Sequence, residues 1–487
     1  MDPESKLYID GELVEAASGK TYPNINPATE DVMGEVADAG PEDMDSAIAA
    51  ARRAFDDSDW STNHTFRHKC LQQLQAGLRA VEKDFKQQIA AETGAPLGIC
   101  GAMGPQCELP IGFIDYTLES LPKYQWSRDI GLSEMMGGKS RRLVEKEAIG
   151  VVACITPWNV PLQINLAKCV PALAAGCTVI LKAAPDTPWS ATMLGRIVKE
   201  HTDIPAGVFN VITSQDPHVV GDQLVGDPRV DMVSFTGSTV VGKHIMARAS
   251  ATVKKVFLEL GGKSANIMLD DADLASSLLS CLAVCFHAGQ GCALNTRLLI
   301  PRQRQAQVEE LLKTYFAFIT YGDPSSEGEI MGPLVNARQR ERVLAYIEKG
   351  KEEGARLLLG GSTPSHLGKG YYVEPTVFVD VSNDMTIARE EIFGPVLAVI
   401  AYDNEEEAVH IANDSDFGLS GSVWSASDER ALAVARRIRT GTVNVNGGNF
   451  YGSDAPFGGY KQSGIGREMG LEGFEEYLET KTIAIAA

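Results

Sequence analysis

The spacing of apolar residues changes character along the chain. Between Gly150 and Leu260, short continuous apolar runs alternate with segments of helical periodicity. The runs at 150–156, 177–182, 208–213, 230–236 and 256–260 predict strands, and Pro161–Ala175, Thr187–Glu200 and Ser238–Ala249 predict helices. Strands that are apolar without alternation are buried on both faces, which predicts a parallel sheet with helices packed on either side. Ahead of this block, Leu7–Val14 alternates around Asp10-Gly11 and predicts a hairpin. A helical pattern opens at Pro41 and runs through Ala47, Ala50, Ala51 and Phe55. Long amphipathic helices continue to about residue 125. Behind the block, a second alternation predicts a helix over 271–287 and strands at 296–300, 377–379, 396–401, 421–424 and 441–445. Met136–Glu147 is polar and strand-like around Gly137-Gly138 and predicts a projecting hairpin. Thr480–Ile485 predicts a terminal strand, an element that needs a partner for its edge.

Composition narrows the function class. A chain of 487 residues holds two or three domains. Its formal net charge of −20 repels phosphates, which argues against nucleic-acid and anionic-membrane partners. No run reaches the roughly 20 apolar residues of a membrane span. The start of the chain is polar and acidic, unlike a secretory signal. Nine cysteines, an odd number with no CxxC pair, fit reduced thiols in the cytoplasm. Cys281 and Cys285 are four apart in an apolar segment, which predicts a packed helix face and no metal site.

Against this background Cys292 stands out, in Gly289-Gln290-Gly291-Cys292-Ala293, with Glu259 33 residues upstream in Glu259-Leu260-Gly261-Gly262-Lys263. A thiol and a carboxylate, each beside glycines that admit a ligand or a second backbone, can divide a reaction between nucleophile and base. Asn159 follows the first strand in Thr156-Pro157-Trp158-Asn159, where an amide can point into the cleft but a helix cap is, taken alone, the better reading. Phe235-Thr236-Gly237-Ser238, with Gly242, is a strand–glycine–helix junction suited to a diphosphate, although it is not the dinucleotide GxGxxG fingerprint. Glu391-Ile392-Phe393-Gly394-Pro395 and Pro456-Phe457-Gly458-Gly459 are glycine-bearing loops that turns alone could explain.

In this order and at these spacings, the motifs together resemble the aldehyde dehydrogenase superfamily, in its NAD(P)-dependent, hydrolytic form, over nearly the whole chain. The resemblance implies an α/β subunit with three parts. These are a Rossmann-like NAD(P)-binding domain (1–125 and 149–260), an α/β catalytic domain (261–462), and a β-hairpin oligomerisation arm and tail (126–148 and 463–487). It implies a homodimer or homotetramer. Cys292 would be the nucleophile, Asn159 the oxyanion-hole amide and Glu259 the general base, with Lys168 and Glu468 on the proton route around that base. The cofactor would lie along Ile155, Thr156, Pro157, Trp158, Lys182, Pro185, Phe235, Gly237, Ser238, Gly242 and Leu260, with Glu391 and Phe393 at the nicotinamide ribose. NAD is the expected cofactor, with NADP as the alternative, because Pro185 stands where strict NAD users of the family often carry a glutamate.

The substrate tunnel is expected along Val160, Ile164, Phe286, Gly291, Tyr451 and Phe457. Val160 and Ala167 stand where relatives often place bulky aromatics, so a wide funnel for a medium or large apolar or aromatic aldehyde is expected. His287 replaces a frequent Asn and reads as a turn residue, with modulation of the thiol as the alternative. Glu259 argues against thioester transfer to coenzyme A, because relatives of that type generally lack the base. An inactive relative and a cysteine hydrolase fit less well, since Asn159, Lys182 and Glu391 would then have no purpose.

Overall fold

A computed structural model describes residues 3–101, 104–326 and 328–487. An eight-stranded sheet carries the first alternating block. Its parallel core runs in the spatial order Phe209–Ile212, Thr178–Lys182, Val151–Ile155, Met232–Thr236, Lys255–Glu259. The hairpin Leu7–Ile9 and Glu12–Val14 joins one edge antiparallel, turning through Asp10 and Gly11 at φ 53° and 84°. Strand order reverses between Val151–Ile155 and Met232–Thr236, and such a switch point opens a crevice at the carboxyl ends of the strands. The helices His64–Thr93, Pro161–Ala175 and Trp189–His201 bury one face of the sheet. Pro41–Asp57, Pro217–Gly226 and Thr239–Ala249 bury the other.

The far edge of this sheet is closed by a distant segment. Gly464–Ile465 pairs antiparallel with Leu258 and Glu259. Gly464 holds φ 138°, and a Cβ there would lie 1.9 Å from the Leu258 carbonyl oxygen, so only glycine lets this strand approach the end of the Glu259 strand.

The second sheet has seven strands, in the order Arg356–Leu359, Thr376–Val379, Val396–Tyr402, Arg297–Pro301, Ala265–Met268, Gly421–Trp424, Asn444–Val445. Only the Arg356–Leu359 edge runs antiparallel. The helix expected over 271–287 breaks down in this region. An α-helix covers Leu274–Leu279, and a tighter helix over Ser280–Gly289 loses helical geometry at Phe286, His287 and Ala288. His287 and Ala288 hold φ 49° and 51°, and Gly289 holds 75°. Three left-handed residues in succession are costly and are kept only where surrounding structure enforces them. Periodicity cannot register such a turn, because Phe286 to Ala288 keep the apolar spacing. The expected strand at 441–445 shrinks to Asn444–Val445. Cys281 and Cys285 are buried in the second sheet's core.

The predicted hairpin is longer than its polar centre suggested. Ser127–Met135 and Gly138–Ala148 form it, and Leu478–Ala486 of the tail pairs along Gly138–Ala148. The sheet leaves two outer edges, with Leu132, Met135, Ile483 and Ile485 exposed. Among the described residues, no helix is long and apolar enough to cross a membrane.

Candidate active site

Strand ends place the chemistry. Glu259 closes its strand, Lys182 closes Thr178–Lys182, Gly237 follows Met232–Thr236, and Asn159 follows Val151–Ile155. Cys292 arrives from the second alternating block, directly after the left-handed turn. Gly262 lets the two parts meet, since a Cβ there would lie 2.3 Å from the Cys292 carbonyl oxygen. The loop that carries Glu259 therefore rests on the backbone of the thiol residue.

Gln290 ties the site together. Its carbonyl accepts from Asn159 Nδ2 at 2.9 Å, its own Nε2 donates to the His287 carbonyl at 3.0 Å, and its Oε1 accepts from the Val335 amide at 2.9 Å. Gln106 donates to the Asn159 carbonyl at 2.8 Å from the other side. Asn159 is thus fixed by two buried amides and spends one amide hydrogen on Gln290. Its second amide hydrogen is left for a ligand oxygen. Gln106 was missed by sequence reasoning. It lies 53 residues from Asn159, in a segment whose pattern marks nothing.

Burial and nearby carboxylates favour the neutral forms of the thiol and the Glu259 carboxyl. The Cys292 thiol is pushed well above its ordinary value by burial first, and then by the charges of Glu259, Glu391 and Glu468. Glu259 is buried, neither of its oxygens has a hydrogen-bond partner among the described residues, and its carboxyl is raised well above 4.5, chiefly by burial and then by Glu468. Lys168 and the nearby Cys292 thiol pull it back down. Lys168 Nζ donates to Glu468 Oε1 at 2.5 Å and to Ser234 Oγ at 3.3 Å, and sits 4.6 Å from the centre of the Phe257 ring. Ser234 in turn meets the Tyr477 hydroxyl at 3.0 Å. The Lys168–Glu468 pair was expected beside Glu259. Ser234 and Tyr477 were not.

The expected cofactor residues fall at or just after strand ends of the first sheet, with Glu391 and Phe393 in a loop that meets Gly262 and Trp158. Ile155 ends the first strand, Thr156, Pro157 and Trp158 follow it, and the Trp158 ring meets Phe393 edge-on at 5.4 Å. Phe393 holds φ 60°, the left-handed region, with its carbonyl accepting from Gln339 Nε2 at 2.8 Å. Glu391 Oε1 accepts from the Gly262 amide at 2.9 Å, and burial pushes its carboxyl up to about 7. Lys182 is buried with one acceptor, the Ala183 carbonyl, and burial lowers its ammonium to about 8. Pro185 lies in the turn after it, and the neighbouring Asp186 is engaged by Asn336 Nδ2 at 2.8 Å. Ser238 caps the helix Thr239–Ala249, accepting from the Val241 amide, and the helix's first turn carries exposed Val240. Phe235 and Leu260 are buried beneath Gly237 and Gly242. A buried ammonium that donates to one carbonyl, a buried carboxyl and a helix N-terminus form a donor and acceptor set that fits a dinucleotide.

The expected tunnel residues divide. Tyr451 and Phe457 sit in an aromatic cluster, 6.2 Å apart, which Phe450 and Phe113 complete at 5.9 Å from Phe457 and 5.7 Å from Tyr451. Burial first, and then the charges of Glu468, Cys292 and Glu259, raise the Tyr451 hydroxyl, which sets Tyr451 in the neighbourhood of the thiol. Ile164 is buried, Val160 and Gly291 are partly covered, and Phe286 is half-exposed. His287 is buried and held neutral, its pKa lowered to about 4 by desolvation, and its left-handed φ matches the turn reading.

Comparison with known proteins points one way. The model of the aldehyde dehydrogenase family matches residues 13–483. A 3-succinoylsemialdehyde-pyridine dehydrogenase from a Pseudomonas species is 43% identical, covering 98% of each chain. The crystal structure of an aldehyde dehydrogenase C mutant from Pseudomonas syringae, in complex with NAD+ and octanal, superposes with a TM-score of 0.92 at 41% identity, covering 99% of this chain and 96% of that one. A betaine aldehyde dehydrogenase from Staphylococcus aureus, in complex with NAD+, superposes at 0.95 with 36% identity, covering 99% and 95%.

Proposed function

The chain belongs to the aldehyde dehydrogenase family, and from that premise we propose that it oxidises a medium or large apolar or aromatic aldehyde to the carboxylic acid with NAD+, through a thiohemiacetal and a thioester on Cys292. The observation that carries this reading is the convergence of Cys292, Glu259 and Asn159 across the Gly262 contact.

Cys292 attacks the aldehyde carbon as thiolate, and a C–S bond forms while the carbonyl oxygen becomes an alkoxide. The free amide hydrogen of Asn159 and the Cys292 backbone N–H hold that oxyanion. Losing one such donor typically costs about 2.7–4 kcal/mol. The alkoxide then collapses, re-forming the C=O bond, breaking the former aldehyde C–H bond and leaving the thioester on Cys292. Bound NAD+ would supply the hydride acceptor and positive charge near the thiol. Lys182 would hold its adenosine ribose hydroxyls and Glu391 those of the nicotinamide ribose, and Phe393 and Trp158 would confine the ring. Glu259 then takes a proton from water as that water attacks the thioester, releasing the acid and the free thiol. Lys168 and Glu468 hold a charge pair beside Glu259 and carry its proton outward.

NAD is preferred over NADP on the strength of the NAD+ complexes of the similar structures, although no carboxylate stands at Pro185 to reject a 2′-phosphate. Small residues at Val160 and Ala167, the aromatic cluster, and the relative solved with octanal support a roomy tunnel. A kcat/KM series tests this: octanal and benzaldehyde should exceed acetaldehyde and succinic semialdehyde by about tenfold or more. The opposite ranking overturns the tunnel assignment, and acyl-CoA in place of acid overturns hydrolysis.

The free edges of the arm sheet support self-association as a dimer or tetramer. Light scattering at micromolar concentration should return a multiple of the subunit mass, and a monomer contradicts it. Nine free cysteines, eight of them buried, support a reducing, cytoplasmic setting.

A further inference from the structure

The helix Ala337–Glu352 belongs to the second alternating block, yet it and its cap touch both ends of the expected cofactor site. Asn336 caps it, its Oδ1 accepting from the Gln339 amide at 2.8 Å. The same side chain reaches the first part of the chain, where its Nδ2 donates to Asp186 Oδ1 at 2.8 Å, in the turn after Lys182. Further along the helix, Gln339 Nε2 donates to the Phe393 carbonyl and Arg342 donates to the Glu391 carbonyl, both at 2.8 Å. Tyr346 gives its hydroxyl to Glu390 Oε2 at 2.6 Å. Spacings of three and four residues put Gln339, Arg342 and Tyr346 on one helix face.

We propose that Asn336 is a positioning residue. Through the helix that it caps, it sets the loop of Glu391 and Phe393 at a fixed separation from Lys182, so that the two riboses of a dinucleotide are gripped together. This role rests on the cofactor reading above and deepens it.

Three observations support it. First, the loop takes its shape from the helix. Phe393 holds a left-handed φ of 60°, which is costly for a residue with a side chain and is kept only where its surroundings enforce it. A Cβ on Gly394 would lie 2.5 Å from Val343 Cγ2, so the loop is pressed against the helix and moves with it. Second, the adenosine end needs no such support. Lys182 sits in a strand that pairs with Ile155 on one side and Ile212 on the other. The separation between the two grips therefore depends on how the helix is joined to the first sheet's part of the chain. Third, that join has an apolar and a polar piece. Pro333 packs against Gly94, where a Cβ would lie 2.7 Å from the proline Cγ. A packing contact brings two parts together without fixing rotation about it. The Asn336–Asp186 hydrogen bond is directional and its acceptor is a carboxylate, so it supplies the missing constraint. The nucleophile's loop is fastened at the same place, since the Val335 amide donates to Gln290 Oε1.

The test measures binding of AMP and of ADP-ribose by calorimetry to the full-length wild type, Asn336→Ser and Asn336→Asp. AMP occupies the adenosine end alone, whereas ADP-ribose carries both riboses. Asn, Asp and Ser cap helices about equally well, so both variants keep the cap and the unfolding midpoint. Serine is too short to reach Asp186, and aspartate has no proton to donate to it. Each variant should weaken ADP-ribose about fivefold or more and leave AMP within about twofold of wild type. An equal loss for both ligands would place the effect at the adenosine end alone and overturn the inference, as would no loss for either. If one variant does not fold, the other decides by the same readings. If the wild type binds neither ligand nor NAD+, the cofactor reading itself fails and takes this role with it. Binding of all three by the wild type, with ADP-ribose unaffected in the variants, sinks this role alone.

Discussion

Replacing Cys292 by alanine is expected to lower kcat for aldehyde oxidation by about 10⁴-fold or more while leaving the fold and cofactor binding intact. Without the thiol no thiohemiacetal forms, and nothing then drives the carbonyl hydrogen off as hydride. No other cysteine can substitute. All eight others are buried, whereas Cys292 is partly exposed. The Cys292 side chain makes no hydrogen bond that holds Asn159 or Gln290 in place, so its truncation spares the architecture of the site. A thermal-shift titration with NAD+ should give the same ligand-induced stabilisation in wild type and alanine variant, while the rate collapses. A residual rate above about one per cent of wild type would mean that the covalent route is not the main one.

Glu259→Gln should separate the two halves of the reaction. Acylation needs a thiolate, which the cofactor's charge favours, whereas deacylation needs a base for water. Stopped-flow mixing should show a burst of reduced cofactor near one equivalent per subunit, then a steady rate lowered by about 10²- to 10⁴-fold. The wild-type steady rate should also carry the titration of this carboxyl. Only the deprotonated form accepts a proton from water. Burial and Glu468 raise its pKa above the usual carboxylate range, so activity should climb with pH through a limb displaced upward from 4.5. That limb should vanish in the glutamine variant. Slow NADH formation with no burst would place the role of Glu259 in acylation instead.

Much of the fold could be read in the chain because the parallel sheet is buried on both faces. Its strands are unbroken apolar runs, and Pro161–Ala175 shows both a proline start and a glycine stop. The same reasoning stopped at the nucleophile's approach. Phe286, His287 and Ala288 look helical in spacing, yet their dihedrals are dictated by what packs around the turn. The proposed trio of Cys292, Glu259 and Asn159 and the Lys168–Glu468 pair were legible only as a set of motifs that resembles a family. Taken singly, Asn159 read better as a helix cap, whereas the cap of Pro161–Ala175 is Val160. Gln106, Ser234 and Tyr477 were not legible at all, because the meaning of each comes from a neighbour far away in sequence, as with the Ser234–Tyr477 contact. Phe113 and Phe450 were missed for the same reason, since an aromatic wall assembled from two distant segments leaves no periodic trace.

The central claim, a thioester on Cys292, is tested most directly by trapping it. Glu259→Gln is mixed with NAD+ and octanal, quenched in acid within the burst, digested and analysed by mass spectrometry. The account predicts one octanoyl group per subunit on the peptide that carries Cys292, removable by hydroxylamine and absent when Cys292 is also alanine. Reduced cofactor formed with Cys292 unmodified, or an acyl group carried by any other residue, would contradict it.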